Sequence, residues 1–230
     1  MYLFLQTQTT VRPDDWDYST EELFTWPRLV QLAWLHMDSR ANLLEEGCDV
    51  IQPEGFDIPH DAVELHGITT MQAVTNGSRL VDVLIDLAEV IDESKIVVAH
   101  DVDFHSTVLF AEYKRENIPT AFDRKPKVCT LRESSELRET KINDSQADNP
   151  SEDDSQADNS GEDGSQADES QGDPDTNNEA SKVRPGSIAE LHNVLFEEQI
   201  EDNQDAANNV RACAKCFFEL RRRGVVNAMF

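Results

Sequence analysis

The chain is short of cations, of cysteines and of long apolar segments, and each shortage excludes a class of protein. Lys and Arg number 20 against 46 Asp and Glu in 230 residues, for a formal net charge of −26. Nucleic-acid-binding proteins usually have a basic surface that exchanges with phosphate counterions, so that common type is excluded. No apolar run reaches the roughly 18 residues of a membrane span, and the N-terminus enters a strand-like segment rather than a signal peptide. We therefore expect a soluble cytoplasmic protein.

The four cysteines are too few and too dispersed for a disulfide framework. Cys213 and Cys216 lie three residues apart in a helical pattern, which places them on one helix face. A structural zinc ion takes four ligands, and no second ligand pair accompanies these two. We therefore interpret them as reduced structural thiols rather than as a metal site.

Acidic residues are concentrated in one segment. Asp144 to Glu179 contains 13 acidic residues and no Lys or Arg, and Ser-Gln-Ala-Asp recurs there at Ser145, Ser155 and Ser165. A segment with so few apolar side chains cannot offset its ordering entropy, so we interpret residues 139–182 as a disordered acidic insert. Its simplest role is a solvated spacer, and the alternative is an acidic arm that mimics nucleic acid or covers a basic partner surface.

The remaining sequence predicts one domain, formed by residues 1–138 and 183–225, followed by a C-terminal tail, 226–230. This part is also acidic, and the whole chain has seven Lys against 13 Arg. Such a surface is tolerable where concentrated salt screens charge within a few ångströms. We therefore hypothesise a halophilic source.

Strand and helix signals alternate along the domain. Three consecutive strands are predicted first, and apolar runs predict two more after a helical stretch. The five predicted strands are Tyr2–Thr7, Arg28–Met37, Glu46–Gln52, Lys95–His100 and Pro126–Leu131. Between and after them, helical spacing predicts Pro59–Leu65, Arg79–Ile91, Asp103–Glu116, Ser187–Phe196 and Asp205–Arg223. The pattern indicates an α/β fold with a mixed five-stranded sheet flanked by helices.

Several short blocks follow one another in a specific order and spacing. They are Phe4-Leu5-x-Thr7-x-Thr9-Thr10, Trp26–Trp34, Ala62–Thr69, Val98–Phe104, Cys129–Leu131 and Val210–Leu220. Together they resemble the DEDDh (DnaQ-like, RNase T-like) 3′-to-5′ exonucleases over nearly the whole chain except the acidic insert. The resemblance implies the ribonuclease H-like exonuclease fold.

The family hydrolyses phosphodiesters with two divalent cations, Mg²⁺ or Mn²⁺, that hold the attacking water and the leaving oxygen. Two such ions about 4 Å apart repel by roughly 16 kcal/mol at an effective dielectric near 20, so four carboxylates assemble them, and a histidine acts as general base. Neutral side chains occupy all five equivalent positions here: Gln6, Gln8, His105, Gln204 and Asn209. Carboxamides carry no charge and take no proton from water near pH 7. The resemblance therefore implies a pseudoenzyme with no metal cofactor.

A rebuilt one-metal site is the alternative reading of the acids near these positions. Asp101, Asp103 and His105 are close in sequence, and Asp205 follows the lost general base. The simpler interpretation is that Asp101 and Asp103 cap the start of a helix and interact with its dipole. His105 is then packed or hydrogen bonded rather than a ligand.

The resemblance also marks substrate-binding positions at Thr9, Thr10, His66, Gly67 and Phe104. Gly67 has a structural reading as well, the C-cap of a turn between two helices. A first hypothesis is a module that binds single-stranded 3′ ends or nucleotides without cutting them. A second is a protein-interaction or regulatory scaffold with a vestigial cleft and a replication or repair partner, and a third is an active exonuclease with a rebuilt metal site.

Three arginines, Arg221 to Arg223, end the last predicted helix. Cations there interact favourably with the helix dipole. The alternative is a small phosphate-binding patch on an otherwise anionic chain.

Overall fold

The computed structural model of the chain describes residues 1–11, 25–137 and 186–226. The predicted acidic insert and all of the tail beyond Val226 lie outside these ranges, so the proposed domain boundaries remain predictions. Val226 itself is buried against the core.

The predicted mixed five-stranded sheet is confirmed. Its strands are β1 (Tyr2–Thr9), β2 (Leu29–Met37), β3 (Leu43–Val50), β4 (Ile96–Ala99) and β5 (Lys127–Cys129). They lie in the order β3-β2-β1-β4-β5, with antiparallel pairing among the first three and parallel pairing of β4 with β1 and β5. Central β1 and β4 are almost wholly buried, as expected of strands covered on both faces.

Strand β3 begins three residues earlier than predicted because a tight turn joins it to β2. The carboxylate of Asp38 accepts hydrogen bonds from the backbone N–H groups of Arg40 and Asn42 and from the Asn42 amide. Ala41 takes a left-handed conformation there, with φ of 65°. An Asp that bonds its own following backbone is a common turn former, and here it sets the register at Leu43.

The predicted helices are confirmed, with two additions. The helices are α1 (His60–His66), α2 (Thr70–Asn76), α3 (Leu80–Glu93), α4 (Val102–Arg115), α5 (Thr130–Glu133), α6 (Ile188–Phe196) and α7 (Ala206–Arg222), with a short 3₁₀ helix at Phe122–Arg124. Helices α2 and α5 were not predicted, and α5 begins with Thr130 and Leu131, which were predicted to end the fifth strand. No helix within the described ranges is long and apolar enough to cross a membrane.

The sheet separates two hydrophobic cores. Leu3 and Leu5 of β1 face α3 and α4, whereas Tyr2 and Phe4 face α6 and α7. This alternation is the period of two of a strand, and it makes a helix–sheet–helix sandwich. The carboxyl end of β1, the start of α4 and the start of α7 consequently meet at one edge of the sandwich.

Candidate functional site

The structure brings the family-equivalent positions to that edge. Gln6 and Gln8 share one face of β1, because side chains two apart in a strand point the same way. The Gln8 amide donates a hydrogen bond to the backbone carbonyl of Gln204 at 3.0 Å. Asn209 lies in the first turn of α7, just after Gln204. The Gln8 amide nitrogen is thus hydrogen bonded within the protein, whereas the Asn209 side-chain oxygen is buried without a partner among the described residues.

His105 stands in the first turns of α4 and is fully enclosed. Its Nδ1 accepts hydrogen bonds from the backbone N–H of Thr7 at 3.2 Å and from the Thr7 hydroxyl at 2.7 Å. Nδ1 is therefore unprotonated, and Nε2–H donates to the carbonyl of His100 at 3.0 Å. Burial lowers the pKa of His105 from 6.5 to about 4. The ring is a neutral cross-link between α4 and β1.

We expect this ring to make stability depend on pH. The folded pKa lies below the unfolded one, so stability is fully present above pH 6.5 and is lost as pH falls towards 4, where the loss levels off. The difference between a pKa of 6.5 and one of about 4 corresponds to about 3 kcal/mol of unfolding free energy. Burial also lowers the pKa values of His36 and His66, which act in the same direction. Urea unfolding from pH 7.5 to 4.5 should therefore be compared with His105→Asn, and equal pH slopes in the two proteins would contradict the assignment.

The side chains at the five family-equivalent positions do not supply the ligands that two divalent cations require. The amide groups of Gln8 and Asn209 donate to backbone carbonyls, the latter to Asn203 at 2.8 Å. Both ring nitrogens of His105 are already hydrogen bonded. Divalent cations such as Mg²⁺ bind through anionic oxygen ligands, and these five side chains offer no negative charge.

The nearby acids have other partners. Asp103 forms an ion pair with Arg132, and Asp205 caps α7 by accepting a hydrogen bond from the Ala207 N–H at 2.8 Å. Asp101 occupies the N-cap position of α4 as predicted, but with φ of 63° and without the expected side-chain capping bond. Within the described ranges no three His, Cys, Asp or Glu side chains are grouped to hold a metal ion.

The cysteine pair lies inside α7 and is buried. Burial raises the pKa of Cys213 to about 12, and its sulfur is 3.8 Å from the Thr130 hydroxyl. Metals and electrophiles react with the thiolate, which is strongly disfavoured here. Both thiols act as packed core side chains.

The five predicted substrate-binding residues are in different surroundings. Thr9 and Thr10 fix the end of β1, since the Thr9 hydroxyl donates to the Val11 carbonyl and the Thr10 hydroxyl accepts from the Arg28 N–H. Phe104 is 1% exposed and packs in the core beneath α4, so its ring does not line the edge. Side chains in the first turn of a helix that follows a buried strand can face the core or the edge of the sheet. Spacing in the sequence does not distinguish these two directions.

His66 and Gly67 end α1 and form one wall of a cleft, and their predicted role in substrate binding remains a prediction. His66 ends α1, and its Nδ1 accepts a hydrogen bond from the Ile68 N–H at 3.1 Å. Gly67 is the C-cap of α1 with φ of 74°, which confirms the structural reading of this glycine. A side chain at position 67 would approach the Gln204 side-chain oxygen at 4.0 Å, so the wall faces the family's general-base position.

His66, Gly67 and Gln204 line an open cleft with a volume of about 660 Å³ between β3, the α1–α2 turn and the start of α7. Its carboxylates are Asp49, Asp202 and Asp205, and no Lys or Arg belongs to its described lining. Other lining residues that sequence reasoning did not identify are Gln31, Cys48, Gln72, Asn76 and Ser78. No motif marks them, because they come from β2, β3, α2 and the segment that follows α2. The cleft therefore offers neutral amides and negative charge.

Comparison with solved structures identifies the same architecture in exonuclease I. Escherichia coli exonuclease I in complex with a dT13 oligonucleotide matches with a TM-score of 0.63 and 15% identity, over 96% of this chain and 41% of that chain. Another exonuclease I structure has a TM-score of 0.62 at 13% identity, over 96% and 40% of the two chains. A product-bound exonuclease I has a TM-score of 0.61 at 14% identity, over 97% and 44%.

No protein-family model and no curated protein matches the chain. The chain spans about two fifths of the length of the exonuclease I structures it matches. At such low identity the match shows the architecture alone, because unrelated activities share folds. The predicted ribonuclease H-like fold is thus confirmed, and this chain has the fold found in exonuclease I.

Proposed function

We propose that this chain is an exonuclease-fold protein that holds the 3′ end of a single-stranded nucleic acid without hydrolysing it. The observation that carries the proposal is the neutral network at the edge of β1, where the amide nitrogens of Gln8 and Asn209 and both ring nitrogens of His105 are hydrogen bonded within the protein. Hydrolysis by this fold depends on carboxylates that assemble metal ions, and on a base. Neither is supplied by the five equivalent positions.

Binding of a single strand is supported by the cleft wall of His66 and Gly67. It is also supported by the likeness to exonuclease I, whose structure has been solved with oligonucleotides such as dT13. His66 and Gly67 border a cleft large enough for a terminal nucleotide. Amide side chains such as Gln31, Gln72 and Gln204 offer donors and acceptors to a base or sugar. Attraction of phosphate by cations is not available in the described lining of the cleft.

This electrostatic character predicts an inverted salt dependence. Ordinary nucleic-acid binding weakens as salt rises, because phosphate contacts release counterions. Here the carboxylates of Asp49, Asp202 and Asp205 repel phosphate, and salt screens that repulsion, since the Debye length falls to about 3 Å at 1 M. We expect a labelled dT oligonucleotide to bind more tightly at 2 M KCl than at 0.1 M KCl, by about tenfold in fluorescence anisotropy.

Two exposed glutamines provide the matched variants for this measurement. Gln204→Glu adds a charge inside the cleft and should weaken binding severalfold at 0.1 M KCl, whereas Gln199→Glu adds the same charge outside it and should not. Binding that weakens steadily with salt, or shortened oligonucleotides after incubation with Mn²⁺, would overturn the proposal.

A protein-interaction scaffold is the second candidate, and the cleft charge favours it. A concave surface with three carboxylates attracts cationic groups such as the Lys and Arg side chains of a partner protein. Absence of oligonucleotide binding at every salt concentration, together with capture of a replication or repair protein that requires residues 139–182, would establish this function instead.

A further inference from the structure

The charged groups that line the cleft are all hydrogen-bond acceptors. They are the carboxylates of Asp49, Asp202 and Asp205, and none of the three forms an ion pair within the described ranges. Partial burial raises the pKa of the Cys48 thiol in the same cleft, and the charges of Asp205 and Asp49 raise it further. Two of the carboxylates therefore act on one point of the cleft. A matching ligand presents hydrogen-bond donors to them rather than negative charge.

One buried donor in the cleft wall has no partner. His66 is 6% exposed, and its Nδ1 accepts a hydrogen bond from the Ile68 N–H, so the neutral ring carries its proton on Nε2. This Nε2 is buried and makes no hydrogen bond to any part of the chain that the structure describes. Burial lowers the pKa of His66, and the nearby Thr9 carbonyl opposes this shift without completing a hydrogen bond. An unpaired buried donor is unfavourable, so a ligand that brings an acceptor to Nε2 is stabilised there.

Asp49 is the carboxylate that is held in a fixed orientation without capping a helix. It lies in β3, where it pairs with Leu32 of β2, and its Oδ1 accepts a hydrogen bond from the Ser78 hydroxyl at 2.9 Å. Asp205 instead caps the start of α7, and Asp202 is exposed in a turn with φ of 46°. A side chain on a strand positions a ligand more accurately than one in a loop, so Asp49 is the acceptor best suited to recognition.

The bases of a single strand differ in the donors and acceptors of their Watson–Crick edges, which are exposed when the strand is unpaired. Guanine presents one acceptor, O6, beside two donors, N1–H and the 2-amino group. These two donors match the two oxygens of one carboxylate. Thymine and uracil present a single donor between two acceptors, and adenine and cytosine each present one amino group. A cleft with a fixed carboxylate and one isolated donor therefore matches guanine.

We propose that the cleft selects a 3′-terminal guanine, with the Asp49 carboxylate accepting from N1–H and the 2-amino group and His66 Nε2–H donating to O6. This inference rests on the proposed function, because it names the terminal base of the strand that is held there. The contact is made to a neutral base edge rather than to a phosphate. It accounts for how a cleft that has carboxylates and no described cation holds a nucleotide.

The test uses 5′-labelled tetranucleotides and fluorescence anisotropy with the full chain at 2 M KCl. Three thymidines are followed by a last nucleotide whose base is guanine, thymine, hypoxanthine or 2-aminopurine. We expect the guanine end to bind at least about tenfold more tightly than the thymine end, because a bidentate contact to a base edge discriminates strongly. Hypoxanthine lacks only the 2-amino group, and 2-aminopurine lacks N1–H and O6, so each should bind at least about threefold more weakly than guanine.

Two acids of β3 supply a matched pair of variants. Asp49→Asn keeps an oxygen for the Ser78 hydroxyl but loses the bidentate acceptor, so the preference for guanine should fall below about twofold. Binding of the thymine end should change by less than about twofold, because 2 M KCl screens the repulsion of phosphate in both proteins. Glu45→Gln removes the same charge from an exposed residue of the same strand that does not line the cleft, and it should retain the full preference.

The outcomes that would overturn the inference differ from those that would overturn the proposed function. Equal affinity for the guanine and thymine ends, or a guanine preference that Asp49→Asn retains, would remove the base contact and leave the proposed function in place. A preference that Glu45→Gln also abolishes would assign it to overall charge rather than to the Asp49 carboxylate. If none of the four oligonucleotides binds at any salt concentration, the proposed function and this inference both fail.

Discussion

Restoring the lost side chains at the edge of β1 is expected to give the chain Mn²⁺ binding and 3′-end trimming that the unmodified chain does not show. The fold already brings β1, α4 and the start of α7 together, so the changes supply charge rather than architecture. The five substitutions are Gln6→Asp, Gln8→Glu, His105→Asp, Gln204→His and Asn209→Asp. Calorimetric titration should detect specific metal uptake only in the variant.

Stability provides an independent readout of the same change. Four clustered carboxylates repel one another, so the metal-free variant should melt at lower temperature than the unmodified chain. Mn²⁺ should then raise its melting temperature, because a ligand at 100 times its Kd stabilises by about 2.7 kcal/mol, and should leave the unmodified chain unchanged. The variant that retains asparagine at position 209 serves as control, since it keeps three of the restored carboxylates.

One result would contradict the proposed inactivity directly. Stoichiometric metal binding by the unmodified chain, with 3′ trimming of labelled single-stranded DNA or RNA that His105→Ala abolishes, would mean that the site has been rebuilt with other ligands. The enclosed position of His105, with both ring nitrogens hydrogen bonded, argues against that outcome.

Local patterns in the sequence predicted the sheet and most helices because each of those elements has a strong periodic signal. The apolar run at β4 and the helical spacing in α3 are examples, since both are buried against the sheet. Helix α2 was missed because only Ala73 is buried in it and Met71 is 75% exposed, which leaves little apolar period. Its capping box, formed by Thr69 and Gln72, was the signal that could have revealed it.

The candidate site was predictable where a residue's role follows from the backbone. Gly67 was identified because a left-handed C-cap favours glycine. Phe104 was not, since the direction of a side chain at a helix start depends on packing. The acidic lining of the cleft was equally hidden, because Asp49 and Asp202 are far apart in sequence and carry no motif.

Glu112 is the clearest case of a structural role without a sequence signal. It lies in α4 between residues of ordinary helical composition, yet its side chain is fully buried. One carboxylate oxygen accepts hydrogen bonds from the Arg28 guanidinium and the Leu29 N–H, both at 2.9 Å, and lies 3.2 Å from Arg115. Glu112 therefore links α4 to the start of β2 through these contacts.

Replacing this glutamate is expected to cost about 3 kcal/mol of unfolding free energy. Glu112→Ala leaves the Leu29 N–H buried without a partner and removes the counterion of Arg28 and Arg115, and breaking a buried pair from one side typically costs about 3 to 5 kcal/mol. The expected loss lies at the lower end of this range because the Arg28 side chain is 26% exposed and can reach solvent. Urea denaturation at neutral pH measures the loss.

Glu112→Gln and Glu89→Ala separate the contribution of the hydrogen bond at position 112 from that of its charge. Glutamine keeps an oxygen for the Leu29 N–H and should cost about half as much, whereas the exposed Glu89 on α3 should cost less than about 0.5 kcal/mol. Equal losses for Ala and Gln at position 112 would assign the whole effect to charge. The contacts of Glu112 also extend to the candidate site. Arg28, which Glu112 binds, is hydrogen bonded through its backbone to Thr10 at the end of β1. Replacing Glu112 should therefore weaken oligonucleotide binding as well as lower stability. Exposed substitutions with the same change in charge should leave oligonucleotide binding unchanged.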